Sequence, residues 1–230
     1  MIVDSPISRD EEQVIEQMKK YVYRVDGVVA CATAISLTIL ASCYHCIKHC
    51  VMTGTDVDEL SSHRNTVIGL THAVTNQQIQ ARIHFYSVEK DVVLLKTDVN
   101  LMDADEIAFR HAYFGQPYYL LGIPISDDGT PLQLISGRIS AIFKGDLSTS
   151  IKFLHGHGTA RPGVSGGPVF ARVLFDGGPT LLGIVVSGQA VSQETKLLTF
   201  ISSNYANYNE DGFWVRYLLD KEEEDDEESD

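Results

Sequence analysis

Short apolar runs separated by turn-forming residues cover most of the chain. After Asp26 and Gly27, runs punctuated by Gly, Asn and Asp recur at 28–36, 37–43, 66–74, 79–86, 91–96, 117–123, 132–143, 168–175 and 180–187. Many short strands with frequent turns are typical of an all-β barrel or sandwich, because βαβ units would place long helical patterns between the strands. The pattern therefore predicts an all-β fold.

Helical spacing is found near the two ends of the chain. The apolar residues at helical spacing near the N-terminus are Val14, Met18, Tyr21, Val22 and Val25. They predict an amphipathic helix over residues 9–23, and Ser8 followed by Glu11 resembles the capping box that starts such a helix. Its apolar stripe would pack on the barrel or mediate oligomerisation. An aromatic cluster containing Trp214 predicts a short C-terminal helix over residues 206–219.

The composition is that of an acidic globular protein. The chain has 230 residues, with 18 basic and 31 acidic side chains and a formal net charge of −13. Residues 220–230 hold nine acids and one lysine, a net −8, so the rest of the chain carries −5. This balance argues against nucleic acid or an anionic membrane surface as a partner, and it predicts a solvated acidic tail.

Residues 27–47 form the most apolar stretch and raise the question of a membrane span. Small and β-branched residues dominate it, and Ser36, Thr38 and Ser42 interrupt it. We therefore interpret it as two buried strands. The first residues of the chain are acidic where a secretory signal would be basic and then apolar. We expect an intracellular, cytoplasmic protein with no membrane partner.

The most specific local motif is PGVSGGP at residues 162–168. Glycines on both sides of Ser165 allow a tight turn that exposes the hydroxyl, and they let successive N–H groups point into one cavity, as an oxyanion hole requires. A plain glycine-rich turn would show the same pattern. The motif becomes informative when a base and an orienting carboxylate are also present.

His45 and Asp91 supply those two groups. His45 closes the apolar run ILASCYHC, and Asp91 opens DVVLLK. A serine nucleophile needs a base, and the base needs a carboxylate that holds it in one tautomer. The order His, Asp, Ser, at separations of 46 and 74 residues, leaves room for the strands that bring the three together.

Two other histidines compete for the role of base. His49 lies in a polar stretch beyond the strand. His72 leaves only 19 residues before Asp91, too few for the intervening barrel strands. We therefore favour His45.

In this order the motifs resemble those of the trypsin-like serine proteases, and most closely the compact HtrA/Deg-like or viral single-domain members. The matching stretches are TAISLTILASCYHC, ARIHFYSVEKDVVLLK, GQPYYLLGIP with LISGRISAI, and TARPGVSGGPVF with LLGIVVSG. They lie between residues 27 and 190. One departure is Tyr44, which replaces the small residue usual before the histidine.

The resemblance, taken with the helical patterns, implies an architecture. We expect two six-stranded antiparallel Greek-key β-barrels packed together, with an N-terminal helix and a short C-terminal helix. The expected segments are an N-terminal helical segment (1–26), a first barrel (27–110), a second barrel (111–205), the C-terminal helix (206–219) and a disordered acidic tail (220–230).

The resemblance also implies roles for the site residues. Ser165 would be the nucleophile, His45 the general base and then acid, and Asp91 the orienting carboxylate. The backbone N–H groups of Gly163 and Ser165 would form the oxyanion hole.

A polypeptide substrate would pair with an edge formed by Val186, Ser187 and Gly188. Thr159 would line the first specificity pocket, with His155 or His157 nearby. No aspartate occupies that region, so we expect a small or medium apolar residue before the cleaved bond rather than Lys or Arg.

The four cysteines, Cys31, Cys43, Cys46 and Cys50, lie within 20 residues. Three interpretations remain open: reduced thiols, a Cys31–Cys46 disulfide as in secreted relatives, and a soft-metal site in the Cys/His cluster. We favour reduced thiols, because no signal peptide leads to an oxidising compartment. A metal site would need a folded loop there, and the triad already claims His45.

The sequence therefore predicts a serine endopeptidase that hydrolyses peptide bonds through a Ser-His-Asp triad and an acyl-enzyme, with no metal and no organic cofactor. The alternative is a catalytically silent trypsin-like fold that acts as a protein-binding module. The complete triad favours activity, whereas the Tyr44 ring beside the base would crowd the site. A metal-binding interaction protein would leave PGVSGGP unexplained.

Overall fold

The fold is taken from a computed structural model of the chain. The structure describes residues 9–51, 66–88, 91–101, 107–109, 112–123, 132–144, 152–158, 163–173, 178–190 and 196–202. Within these ranges, two helices and thirteen strands follow one another. The predicted all-β class with two barrels is confirmed.

Six strands form the first barrel: β1 (Val22–Val25), β2 (Cys31–Ala34), β3 (Ile39–Ser42), β4 (Val67–His72), β5 (Gln78–Ser87) and β6 (Val92–Lys96). They close in the order β1-β2-β3-β6-β5-β4, and the pairs are antiparallel. The end of β3 lies beside the start of β6, with Ser42 opposite Val93. Because His45 follows β3 and Asp91 precedes β6, this pairing brings the two residues together.

The second unit contains β7 (Ala108–Phe109), β8 (Pro117–Gly122), β9 (Gln133–Lys144), β10 (Lys152–Gly158), β11 (Pro168–Ala171), β12 (Thr180–Ala190) and β13 (Lys196–Ser202). Six of them follow the order β11-β8-β9-β10-β13-β12, and a further β11–β12 pairing joins the two ends. Starting from β8, the order around this unit is therefore β8-β9-β10-β13-β12-β11, which matches the order β1-β2-β3-β6-β5-β4 of the first barrel strand for strand. The short β7 is added to β12 in parallel.

The two helices differ from the sequence prediction. α1 (Arg9–Lys19) is shorter than the predicted helix over residues 9–23, because Val22–Val25 form β1. The first barrel therefore begins before the predicted boundary at residue 27. α2 (Tyr44–Val51) was not predicted, and it begins two residues after the end of β3.

The apolar stripe of α1 packs within the chain. Val14, Ile15 and Met18 are buried in the same apolar cluster as the strands of the first barrel. This is the first of the two uses that the sequence suggested for the stripe. Oligomerisation through it would require α1 to leave the core.

One buried cluster continues from the first barrel into the second. Tyr119, Leu121 and Phe170 of the second unit belong to the same cluster as Met18 and Leu40, and each is at most 1% exposed. Complete burial of one such side chain stabilises the fold by about 1.5–3 kcal/mol. The shared core fixes the position of one barrel against the other, and thereby the cleft between them.

Several predictions fall outside the described residues: the capping Ser8, the C-terminal helix over residues 206–219 and the acidic tail over 220–230. The apolar stretch 27–47 is described, and it forms β2, β3 and the first turn of α2. Among the described residues, no helix has both the length and the apolar character needed to cross a bilayer.

Candidate active site

His45 is held in one orientation by Asp91. Nδ1 of the imidazole lies 2.6 Å from Oδ2 of the carboxylate. The His45 side chain is 46% exposed and the Asp91 side chain 30%, so the pair sits at the surface of a cleft. A carboxylate on Nδ1 leaves Nε2 as the nitrogen available for proton transfer.

Asp91 also fixes the start of α2. Its Oδ1 accepts a hydrogen bond of 2.9 Å from the backbone N–H of His45, and its carbonyl accepts one of 3.2 Å from Tyr44. The first N–H groups of a helix have no partner within the helix, and here a distant carboxylate supplies one. Asp91 adopts a left-handed backbone with φ of 52°, a conformation that Asp tolerates better than most residues.

Ser165 lies in a tight loop that glycines make possible. Gly163 and Gly166 have φ values of 103° and 81°, which L side chains rarely adopt. A Cβ added at Gly166 would collide with the carbonyl oxygen of Cys31. The glycines that the sequence singled out are therefore required by backbone geometry and by packing.

The loop of residues 163–167, which carries the predicted nucleophile Ser165 and is called the nucleophile loop below, is attached to the first barrel by backbone and side-chain hydrogen bonds. The N–H of Cys31 donates to the carbonyl of Ser165 over 2.7 Å, and Oγ1 of Thr33 donates to the carbonyl of Gly166 over 2.8 Å. Oγ of Ser42 donates to the carbonyl of Cys31 over 2.7 Å. Strands β2 and β3 thus position the loop that carries Ser165.

His45 and Ser165 line one cavity of about 350 Å³. The other lining residues are Val28, Val29, Cys46 and His49. The structure therefore brings the predicted base and nucleophile to the same space, while Asp91 lies behind the base. Tyr44 does not line this cavity: its ring is buried and stacks on Tyr86, with ring centroids 5.7 Å apart.

The backbone of the nucleophile loop leaves two donors available. The N–H of Gly166 donates to Val185, and that of Gly167 to Val164. In contrast, the N–H groups of Gly163 and Ser165 have no acceptor among the described residues. Unpaired N–H groups beside a serine hydroxyl are the donors that an oxyanion hole uses.

Among the described residues, no strand pairs with one edge of β12 over the predicted substrate-binding residues Val186, Ser187 and Gly188. β12 pairs with β11 as far as Ile184, and the Val185 N–H donates to the carbonyl of Gly167. From Val186 to Ala190, the described residues supply a partner only on the β13 side. The register with β13 shifts between Val185 and Ser187.

The remaining histidines occupy other environments. Oγ1 of Thr75 lies 2.9 Å from Nδ1 of His72, whose Nε2 donates to the carbonyl of Lys20 over 3.1 Å. His72 does not line the cavity shared by His45 and Ser165. The ring of His155 contacts that of Phe143 in a tilted arrangement, with centroids 4.5 Å apart. Neither His155 nor His157 lines the cavity shared by His45 and Ser165. Thr159 lies outside the described residues.

Cys46 is the side chain of the site that the sequence prediction left out. Its Sγ lies 3.1 Å from Nε2 of His45. Hydrogen bonds to Asp91 and Cys46 raise the pKa of His45 to about 10. Hydrogen bonds with Cys43 and His45 lower the pKa of Cys46 to about 6. The Cys-x-x-Cys spacing around His45 was the signal in the sequence, and the helix that turns Cys46 toward the imidazole was not foreseen.

The four cysteines are free thiols with different surroundings. Sγ of Cys31 donates to the carbonyl of Gly163 over 3.3 Å and accepts from the N–H of Ile123 over 3.2 Å. Burial raises the pKa of Cys31 to about 12. Cys31 therefore contacts the nucleophile loop, whereas Cys46 contacts the imidazole.

The family of the chain follows from a comparison with family models. The model of the trypsin-like peptidase domain matches residues 26–173. This range covers more than half of the chain and includes His45, Asp91 and Ser165. The chain belongs to the trypsin-like peptidases, and by family it is a serine endopeptidase, which confirms the predicted class of enzyme.

Solved structures show the same fold. The active form of the Rv3671c protease from M. tuberculosis is 15% identical, with a TM-score of 0.62 over 89% of this chain and 86% of that one. The serine endoprotease from Yersinia pestis is 16% identical, with a TM-score of 0.62 over 90% and 67%. The HtrA-type protease AlgW with tripeptide is 17% identical, with a TM-score of 0.62 over 86% and 61%. Comparison with the curated proteins gives no significant match.

Proposed function

We propose that the chain hydrolyses peptide bonds by acyl-enzyme chemistry, with Ser165 as nucleophile, His45 as base and then acid, and Asp91 as the orienting carboxylate. The observation that carries this proposal is the cavity lined by both His45 and Ser165, with Asp91 on the opposite nitrogen of the imidazole. A nucleophile, a base and an orienting group in this arrangement are what the reaction needs.

The first half of the reaction forms an ester on Ser165. Its Oγ attacks the carbonyl carbon of the peptide bond, and its proton passes to Nε2 of His45. The negative charge that develops on the carbonyl oxygen is stabilised by the free N–H groups of Gly163 and Ser165. The C–N bond then breaks, and Nε2 returns the proton to the leaving amine.

The second half hydrolyses the ester. A water molecule loses a proton to Nε2 of His45 and attacks the acyl carbon, which releases the carboxylic acid and restores the Ser165 hydroxyl. Asp91 stays ionised throughout and stabilises the imidazolium that forms in each half. No metal and no organic cofactor enters either step.

The free edge of β12 supports an extended polypeptide as substrate. Backbone groups between Val186 and Gly188 are placed to pair with a substrate strand, since the described residues occupy only the opposite edge of β12. Such β-augmentation recognises the backbone of the substrate more than its side chains.

A peptide library tests the expected preference for small or medium apolar residues before the cleaved bond. Dominance of Lys or Arg at that position would contradict it.

The binding-module alternative is favoured by one observation. In the structure, Nε2 of His45 faces Sγ of Cys46 at 3.1 Å. The raised pKa of His45 and the lowered pKa of Cys46 favour an imidazolium paired with a thiolate, and an imidazolium cannot take the proton of Ser165. The fully described triad and the free oxyanion donors favour the enzyme. The sequence suggested that the Tyr44 ring would crowd the site, but the ring stacks on Tyr86 and does not line the cavity.

A fluorophosphonate probe distinguishes the two functions. We expect covalent labelling of the wild type, with mass spectrometry locating the adduct on Ser165, and no labelling of Ser165→Ala. The measurement uses reductant and chelator, so that thiol oxidation and metals do not interfere. If a folded wild type and a folded Cys46→Ala variant both remain unlabelled, the enzyme proposal is wrong and the binding module is favoured.

A further inference from the structure

Three metal-ligating side chains converge at the start of α2. The donor atoms of Cys43, His45 and Cys46 all lie within 4.8 Å of one another. We propose that these three residues bind one Zn²⁺ ion, which inhibits the peptidase by occupying Nε2 of His45. The inhibition rests on the function proposed above, whereas the metal binding does not.

The spacing of the donors suits zinc. Thiolate sulfur binds Zn²⁺ at about 2.3 Å and imidazole nitrogen at about 2.0–2.1 Å, so two donors on one ion lie no more than about 4.6 Å apart. At a tetrahedral angle the same bond lengths place two donors about 3.5–3.8 Å apart, so three donors within 4.8 Å of one another reach that geometry by movements of about 1 Å or less. Thiolate sulfur and imidazole nitrogen are the donor types that protein sites for Zn²⁺ typically use.

The imidazole is already oriented as a metal ligand. In zinc sites the ligating histidine commonly donates its other N–H to a carboxylate, which fixes the ring and raises the basicity of the ligating nitrogen. Asp91 holds Nδ1 at 2.6 Å, and Nε2 faces Cys46. The contact that prepares His45 as a base therefore also prepares it as a ligand.

Zn²⁺ can replace the proton of the Cys43 thiol without leaving the carbonyl that this thiol contacts unpaired. Sγ of Cys43 donates to the carbonyl of Val185 over 3.0 Å, and that carbonyl also accepts from the N–H of Gly166 over 2.8 Å. When Zn²⁺ binds, the proton of Cys43 and the proton that Cys46 and His45 share pass to solvent. Two thiolates then neutralise the ion, which makes a buried position acceptable.

The ion has an entry path and room for a fourth ligand. His45 and Cys46 line the cavity that Ser165 also lines, so an ion reaches these two donors from the substrate side, and the donor atom of the buried Cys43 lies within 4.8 Å of both. Three protein ligands leave the fourth tetrahedral position to water. A zinc ion there blocks proton transfer between Ser165 and His45.

A disulfide between Cys43 and Cys46 is the competing use of these thiols. It would involve the two sulfurs but would give no role to the convergence of His45 on the same point. The sequence favoured reduced thiols because a metal site needs a local fold and the triad claims His45. The helix α2 supplies that fold, and competition for His45 is the mechanism of the proposed inhibition.

Cobalt titration of the reduced, metal-free protein tests the site independently of activity. We expect one equivalent of Co²⁺ to produce a thiolate-to-cobalt charge-transfer absorption, and Zn²⁺ to displace it. Cys46→Ser should lose this absorption and bind Zn²⁺ at least about tenfold more weakly. The matched control is Cys50→Ser, one turn further along α2 and outside the donor group, which should behave as the wild type.

The same samples test the inhibition. Zn²⁺ should slow fluorophosphonate labelling of the wild type and of Cys50→Ser, chelator should restore it, and Cys46→Ser should be less sensitive. Absence of the charge-transfer absorption in the wild type, or its persistence in Cys46→Ser, overturns the metal site. Recovery by reductant but not by chelator would instead establish the disulfide. If Ser165 never reacts, even without metal, the proposed function fails while the cobalt absorption still decides the site.

Discussion

The backbone N–H of Cys31 donates to the carbonyl of Ser165 over 2.7 Å, so a strand of the first barrel holds the loop of the second barrel that carries the proposed nucleophile. Sγ of Cys31 donates to Gly163 in the same loop. The base follows β3, the strand paired with β2. The relative position of Ser165 and His45 therefore depends on contacts between barrels as much as on the strands of either one.

Gly166→Ala should disable the nucleophile loop. Its φ of 81° disfavours any L side chain, and a Cβ would collide with the carbonyl of Cys31. We expect the free energy of unfolding to fall by at least about 2 kcal/mol and labelling of Ser165 to be lost. Gly178→Ala is the control, because a Cβ there meets no atom within 4 Å. Equal stability of the two variants in urea denaturation would contradict this account.

Asp91→Asn should slow labelling of Ser165 by about 10²–10⁴-fold, because an amide on Nδ1 favours the wrong imidazole tautomer and no longer stabilises the imidazolium. The rate of fluorophosphonate labelling measures this directly. Asp98→Asn, at an exposed position, should label at the wild-type rate. A circular dichroism spectrum separates a lost fold from a lost base. Unchanged labelling of a folded Asp91→Asn variant would remove Asp91 from the triad.

Cys46→Ala should increase the labelling rate in metal-free, reducing buffer. The thiol lies 3.1 Å from Nε2 of His45 and competes with Ser165 for that nitrogen. Removal of a competing hydrogen bond worth about 1 kcal/mol corresponds to roughly a fivefold increase. Cys50→Ala serves as the control in the same helix. A Cys46→Ala rate equal to or below that of the wild type would show that the thiol does not restrain the base.

Protonation of His72 should destabilise the fold at low pH. Burial lowers the pKa of His72 below its ordinary value of 6.5. As the pH falls through 6.5, the unfolded chain therefore takes up a proton that the folded protein does not, and stability is lost. The loss arises because burial disfavours the charged ring, and because Nδ1 of neutral His72 accepts hydrogen bonds from the backbone N–H groups of Val74 and Thr75, which a protonated Nδ1 cannot accept.

Thermal unfolding between pH 7.5 and pH 5 checks this prediction (roughly the range over which histidine titrates). His72→Gln, which keeps a donor but cannot be protonated, should show a smaller fall in Tm over this range than the wild type. His157→Gln removes an exposed histidine and should leave the pH dependence unchanged. Identical pH dependence in all three proteins would show that His72 does not contribute.

Much of the fold was predictable because its information is local. The alternation of buried and exposed residues along β5 follows directly from the sequence, as does the apolar stripe of α1. Three of the strands that the sequence missed have weak local signals: β1 continues the helical pattern, β7 has two residues, and glycines and histidines interrupt β10. The fourth, β13, was missed although its residues KLLTFIS form an apolar run. Each is held in place by strands distant in sequence.

The sequence by itself determined the candidate residues for the chemistry, because the spacing of His45, Asp91 and Ser165 and the glycines around the serine can be read directly from the chain. Only the tertiary structure decided that α2 turns Cys46 toward the base, that Tyr44 turns away from it, and that Cys31 holds the nucleophile loop. The physical reason is the range of the contacts. A turn or a strand is specified by neighbouring residues, whereas the partner of an imidazole nitrogen depends on where two barrels and a helix end meet.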